Sequence, residues 1–132
     1  MTKGGNIFMA ALTAWRENRG GGSVGMQSVL NVIQNRAKQS QRDFYAVCTQ
    51  PWQFSSITAK NDPQLGVWPA EGEAEMAVAL DMAEQAYDGK LPDITGGATL
   101  YYAASMATPP YWAAQSTKTV EIAGQLFSKE NA

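Results

Sequence analysis

Side-chain chemistry near neutral pH most often starts from histidine, and this sequence contains none. Its absence excludes Ser-His-Asp hydrolysis, Cys-His proteolysis and histidine-rich zinc sites. The single cysteine, Cys48, can form no intramolecular disulfide and no thiolate cluster for a metal or iron–sulfur centre, so no cofactor is expected. Carboxylates are left for acid/base work, and Glu17 is the foremost of them. Ile7, Ala11, Ala14 and Trp15 recur at helical spacing and define an apolar stripe, with Glu17 at its margin beside Ala10 and Ala14. Partial burial favours the neutral form of a carboxyl, and the negative end of a helix acts in the same direction, as a general acid requires. Helix geometry alone leaves a second reading open, in which Glu17 is a solvated residue paired with a neighbouring arginine.

Other polar candidates read more plainly. Glu71, Glu73, Glu75, Asp81, Glu84 and Asp88 fall in or near one amphipathic helix and suit its solvated face. Asp62 and Asp93 neighbour prolines and are turn residues by type, and Cys48 reads as a small buried hydrophobe. The aromatics are more suggestive. Trp52, Phe54, Tyr101, Tyr102, Tyr111 and Trp112 lie in loops, on strands or beside turns. Flat rings suit the C–H faces of sugars, while Gln53 and Thr99 could bond their hydroxyls, a combination typical of carbohydrate clefts. The alternative is that half of these rings fill the core, since adjacent strand positions such as Tyr101 and Tyr102 point to opposite faces.

The elements that must position these groups follow from period and punctuation. A first helix, capped by Asn6, short and mostly small-sided, is expected to stop at Gly20-Gly21-Gly22. Ser23 caps a second helix, read as the central core helix because Val29, Leu30, Val32 and Ile33 make it apolar enough for burial. A helical turn is expected over 43–47, and 49–70 reads as a long functional loop. A clear amphipathic helix spans about Glu73 to Tyr87, closed by Asp88-Gly89. Strands are expected at 98–102 and 119–123, in a sheet of two or three strands. The predicted fold class is α+β, a mainly helical single domain over residues 1–132 with a small antiparallel sheet in its C-terminal half.

The whole chain narrows the partners. Its 132 residues are enough to bury a core without staples. Ten Lys+Arg against twelve Asp+Glu, with no basic block, argue against nucleic acid. No stretch approaches a membrane span. The apolar run Ile7–Leu12 is preceded by a single lysine and continues into a charged helical end, so it is not read as a signal peptide.

With these residues in view, the chain resembles the SleB-type cell-wall hydrolases, the spore-cortex-lytic enzymes and their phage relatives. The resembling blocks are Trp15-Arg16-Glu17-Asn18-Arg19-Gly20, then Gly25 and Val29 to Arg36, then Cys48 with Gln50-Pro51-Trp52-Gln53-Phe54-Ser55. Leu91-Pro92-Asp93 with Thr95-Gly96-Gly97-Ala98-Thr99 follows, and Pro109-Pro110-Tyr111-Trp112 with Thr119, Ile122, Gly124 and Phe127 closes the series. The blocks stand in order and span nearly the whole chain. Arg16, Asn18 and Gly21 depart from the family's usual G-E-A-R-G-E, while its Glu and Arg are retained as Glu17 and Arg19.

The resemblance implies a lysozyme-like domain that cuts peptidoglycan between N-acetylmuramic acid and N-acetylglucosamine, with Glu17 as catalytic acid. Helix geometry and family pattern thus reach the same carboxylate separately. A two-carboxylate glycosidase needs a second acid, and only Glu17 stands out, so the expected reaction is that of a lytic transglycosylase in which the muramic C6 hydroxyl attacks. A muramidase, with Asp62 or the pair Gln53 and Ser55 positioning water, is the alternative. A non-catalytic glycan-binding module and a virion structural protein are less favoured. Substrate contacts are expected from Gln53, Phe54, Thr99, Tyr101, Tyr102, Trp112 and Arg19, with Arg19 open to a structural role instead. Asn31, Asn35 and Arg36, polar groups on an apolar helix, are expected to brace loops over the cleft. The expected setting is a monomeric phage endolysin, made in the cytoplasm without a signal peptide and reaching the wall through a holin.

Overall fold

A computed structural model describes residues 1–51 and 53–131. Trp52, one of the aromatics expected to meet sugar, lies outside the described residues. Helices α1 (Lys3–Asn18), α2 (Gly22–Ser40), α3 (Phe44–Thr49), α4 (Ser55–Thr58) and α5 (Ala74–Tyr87) precede strands β1 (Leu100–Ala103), β2 (Ser116–Ile122) and β3 (Gln125–Glu130). The architecture is the expected one: mainly helical, with a small antiparallel sheet in the C-terminal half.

Two expectations for the first helices are corrected. The N-cap of α1 is Thr2, whose Oγ1 accepts from the Gly5 N–H at 3.0 Å. Asn6 is buried inside the helix, donating from Nδ2 to the Thr2 carbonyl (2.9 Å) and accepting the Tyr45 N–H on Oδ1 (2.9 Å), so it fastens α1 to α3. Nor is α1 short. It has 16 residues and packs against α2, α3 and α5, because Ala10, Ala11 and Ala14 keep its surface low enough for neighbours to approach on more than one side. Helix α2 begins at Gly22 without a side-chain cap, so Ser23 does not serve as one. It carries the buried Val29, Leu30 and Ile33 into the helical core, while Val32 forms a second apolar cluster with Ala98 and Phe127. Thus α2 joins the helices to the sheet.

The segment 49–70 is more structured than a bare loop, containing α4 and a 3₁₀ turn over Pro63–Gly66. Arg16 holds it down. Its Nε donates to the Val67 carbonyl and its Nη1 to the Ser56 carbonyl, both at 3.0 Å, and its guanidinium lies 4.6 Å from the centre of the Trp68 ring.

The sheet order is β1-β3-β2, all antiparallel. Strands β2 and β3 are joined by Ala123-Gly124, with φ of 48° and 80°, as a tight two-residue hairpin turn demands. The β2 register shifts between Lys118 and Val120, and Thr119 Oγ1 donates to the Thr95 carbonyl at 2.6 Å. This ties the sheet to the loop before β1. Within that loop Asp93 accepts from the Thr95 hydroxyl and N–H (both 2.7 Å) and from the Gly97 N–H (3.0 Å). Burial works to raise the Asp93 carboxyl, but these bonds and one from Asn35 outweigh it and hold the group below its ordinary value.

Candidate active site

The last turn of α1 delivers Glu17, half-buried, to a cleft of about 390 Å³. Arg36 from α2, Pro51 and Gln53 from the segment after α3, Ser55 and Thr58 from α4, Ala59, and Tyr101 from β1 complete its lining. Glu17 is the one carboxylate on that lining among the described residues.

Tyr101 fixes it. Strand pairing sets Tyr101 opposite Phe127, the two ring centres 5.4 Å apart, and the Tyr101 hydroxyl donates to Glu17 Oε1 at 2.5 Å. Burial and the facing Glu17 carboxylate hold the phenol proton on well above a tyrosine's ordinary value. The proton of this contact therefore belongs to tyrosine, and the bond is charge-assisted when Glu17 is ionised. One carboxylate oxygen is thereby occupied, and the other can exchange a proton with a substrate.

Arg36 spans the space between cleft and core. Its Nε donates to the Thr99 carbonyl at 2.6 Å, and its guanidinium lies 5.0 Å from the centre of the Phe54 ring. Asn31 and Asn35 brace the same 92–99 loop: Asn31 donates to the Pro92 carbonyl (3.0 Å) and accepts from the Ile94 N–H (3.0 Å), and Asn35 donates to the Ala98 carbonyl (2.9 Å). Cys48, fully buried, has its thiol pushed up to about 12 by burial, which leaves it unreactive.

The expected contact residues divide. Gln53 and Tyr101 line the cleft with Glu17. Phe54 does not: it is 1% exposed and belongs to the core, because the turn into α4 points it inward beneath Arg36. Thr99 is buried and meets Arg36 through its carbonyl rather than lining the cleft. Tyr102 faces the other side of β1 from Tyr101, as strand alternation requires, and packs edge-on against Trp112 at 5.6 Å. Both stand away from Glu17. Arg19 is engaged in bracing, stacked 4.0 Å from the centre of the Trp15 ring and donating from Nη1 to the Trp15 carbonyl (3.2 Å) and to Gln64 Oε1 (2.8 Å). Asp62 is off the cleft, accepting the Ser55 hydroxyl at 2.6 Å.

Sequence reasoning did not place Arg36, Thr58 or Ala59 in the cleft. A charged residue on the apolar α2 was the signal for Arg36. Nothing in the local sequence marks Thr58 or Ala59, which reach the site through the fold of 49–70.

A mainly helical domain with a cleft between its helices and a small sheet has the layout of a lysozyme-like domain. The chain matches the model of the cell wall hydrolase family over residues 20–128 and belongs to that family. The matched span begins just after Glu17. Over 98% of its length it is similar to the catalytic domain of the germination-specific lytic transglycosylase SleB from Bacillus anthracis, at 25% identity and a TM-score of 0.74, covering 97% of that chain. It superposes equally, TM-score 0.74, on the catalytic domain of the Bacillus cereus SleB protein, at 24% identity and covering 98% of this chain and 93% of that one. No curated protein matches it at a significant level.

Proposed function

We propose that this cell wall hydrolase cuts peptidoglycan glycan strands between N-acetylmuramic acid and N-acetylglucosamine as a lytic transglycosylase, with Glu17 as both acid and base. The observation that supports it is a cleft with one carboxylate among the described residues, Glu17, whose Oε1 is held by Tyr101. Glu17 gives its proton to the glycosidic oxygen, the bond from muramic C1 to that oxygen breaks, and the leaving sugar departs as an alcohol. Glu17, now a carboxylate, takes the proton of the muramic C6 hydroxyl as that oxygen closes on C1. The product is a 1,6-anhydro sugar, and Glu17 ends protonated, ready for another turnover. No second carboxylate is needed, because the substrate supplies its own nucleophile. The likeness to a chain described as a lytic transglycosylase supports the same reading. Gln53 on the rim is suited to hydrogen-bonding the sugar.

A second reading has water attack in place of the C6 hydroxyl. It draws on Ser55, which lines the cleft and gives its hydroxyl proton to Asp62, leaving its oxygen to accept from a water.

Purified peptidoglycan digested by the wild type and by Glu17→Gln separates these readings. Anhydro ends give soluble fragments lighter, after borohydride reduction, than reducing-end counterparts by one water and the two hydrogens of reduction. Such fragments from the wild type, and none from the variant, are the expected result. Reducing ends would indicate a muramidase, and equal release by both proteins would overturn the role of Glu17.

The setting we infer is phage lysis, with residues 1–132 acting as one catalytic domain, a monomer made in the cytoplasm that reaches the wall through a holin. The resemblance to phage relatives supports this. Co-expression with and without a holin tests it: lysis should follow only when the pore is present, and light scattering should return the mass of one chain.

A further inference from the structure

The cleft contains a cation, Arg36, that forms no ion pair among the described residues. The ion pairs formed among the described residues join Met1 to Asp43 and Lys3 to Asp88, and neither involves Arg36. Its Nη1 is buried without a hydrogen-bond acceptor, while Nε is committed to the Thr99 carbonyl and the guanidinium is set against Phe54. A desolvated guanidinium without a partner is costly, and proteins retain such groups where something else completes them.

Glu17 is the one carboxylate on the same lining among the described residues, and it compensates Arg36 only while ionised. The proposed reaction starts with Glu17 protonated and neutral. In that state the charge on the cleft lining is that of Arg36 alone. An anion brought by the substrate would balance that charge, and a carboxylate is an anion that an arginine guanidinium binds well.

We propose that Arg36 is a substrate-binding residue that selects glycan carrying a carboxylate at the cleft, an inference that rests on Glu17 acting as a general acid on peptidoglycan. Two sources supply that one chemistry. Muramic acid bears a lactyl carboxylate where its peptide is absent, and the peptide bears carboxylates where it is present. Burial pushes the Arg36 guanidinium down from its ordinary value, against the pull of Tyr101, Cys48, Glu130 and Glu17, so relief by an incoming anion has a physical basis.

The test uses the whole chain and four glycan preparations: peptide-free strands and peptide-bearing strands, each before and after carbodiimide coupling of their carboxylates to methylamine. Wild type should lose about tenfold in kcat/KM, mostly through KM, when the carboxylate it recognises is neutralised. Loss confined to peptide-free strands would identify the lactyl group, and loss confined to peptide-bearing strands the stem. Arg36→Gln should show the lower rate on all four and no response to amidation, with Arg36→Lys recovering part of the KM.

A wild type that releases anhydro ends equally from all four preparations overturns the inference and leaves the reaction standing. So does an Arg36→Gln variant that keeps the wild-type response. If wild type cleaves none of them, the proposed function fails and this inference with it. Should Arg36→Gln fail to fold, the wild-type response and Arg36→Lys still decide the matter.

Discussion

Glu17 and Tyr101 stand 84 positions apart in the chain and meet through a 2.5 Å hydrogen bond. The bond leaves the other carboxylate oxygen free to face the cleft. Tyr101→Phe removes the hydroxyl and keeps the ring against Phe127. A hydrogen bond to a charged group contributes on the order of 1.5–3 kcal/mol, so kcat should fall by up to about tenfold to a hundredfold and the melting temperature by several degrees. Release of anhydro fragments over time, set beside a thermal melt, checks both halves of this expectation. An unchanged kcat would mean that the tyrosine only fills space.

The cleft depends on how elements are tied together as much as on the residues that line it. Helix α4 and the residues before it bring Gln53 and Ser55 to Glu17, and they stay there because Arg16 reaches from α1 to the carbonyls of Ser56 and Val67. Arg16 is itself a departure from the family's usual glycine at that position, so this anchor could not have been carried over from the resemblance. Arg16→Ala strips both carbonyls of their donor and uncovers the Trp68 ring. A loss of about 2–3 kcal/mol in urea unfolding is expected, with faster amide exchange across 53–68 and a raised KM. Exchange confined to some other part of the molecule would show that the segment has a different anchor.

At the scale of the molecule, the sheet and the helical core share an apolar seam. Val32 of α2, Ala98 and Phe127 of β3 are fully buried together, with Tyr101, Val120 and Ile122 packed against them. Because Tyr101 leans on Phe127, damage at the seam reaches the site. Phe127→Ala should cost about 3–5 kcal/mol and depress activity even at temperatures where the protein remains folded, as the Tyr101 ring loses its support. Far-ultraviolet circular dichroism and activity followed along the same temperature ramp would separate the two losses, and activity that falls only with the ellipticity would count against the coupling.

Some of this was legible in the residue order. Periodicity located α2 and α5, because an amphipathic helix must repeat its apolar residues every three or four positions. The missing histidine and the stripe margin led to Glu17, since those are properties of composition and local geometry. The caps were less legible, because Asn6 is chemically suited to cap and is instead used in the interior. The third strand escaped individual notice because its turn is Ala123-Gly124 rather than the Asn-Gly or Asp-Gly that usually marks a tight hairpin. Which aromatics face Glu17 was undecidable from order alone. Strand alternation says that Tyr101 and Tyr102 point apart without saying which points in, and only the packing of β1 and β3 against α2 settles it. The sequence by itself thus singled out Glu17 as the candidate acid and determined the principal helices and the fold class, all of which follow from local spacing and residue type. The tertiary structure alone decided that Tyr101 bonds Glu17 and that Arg36 shares its cleft, and sent Phe54 to the core, because contacts between distant segments depend on which faces the packed elements bury.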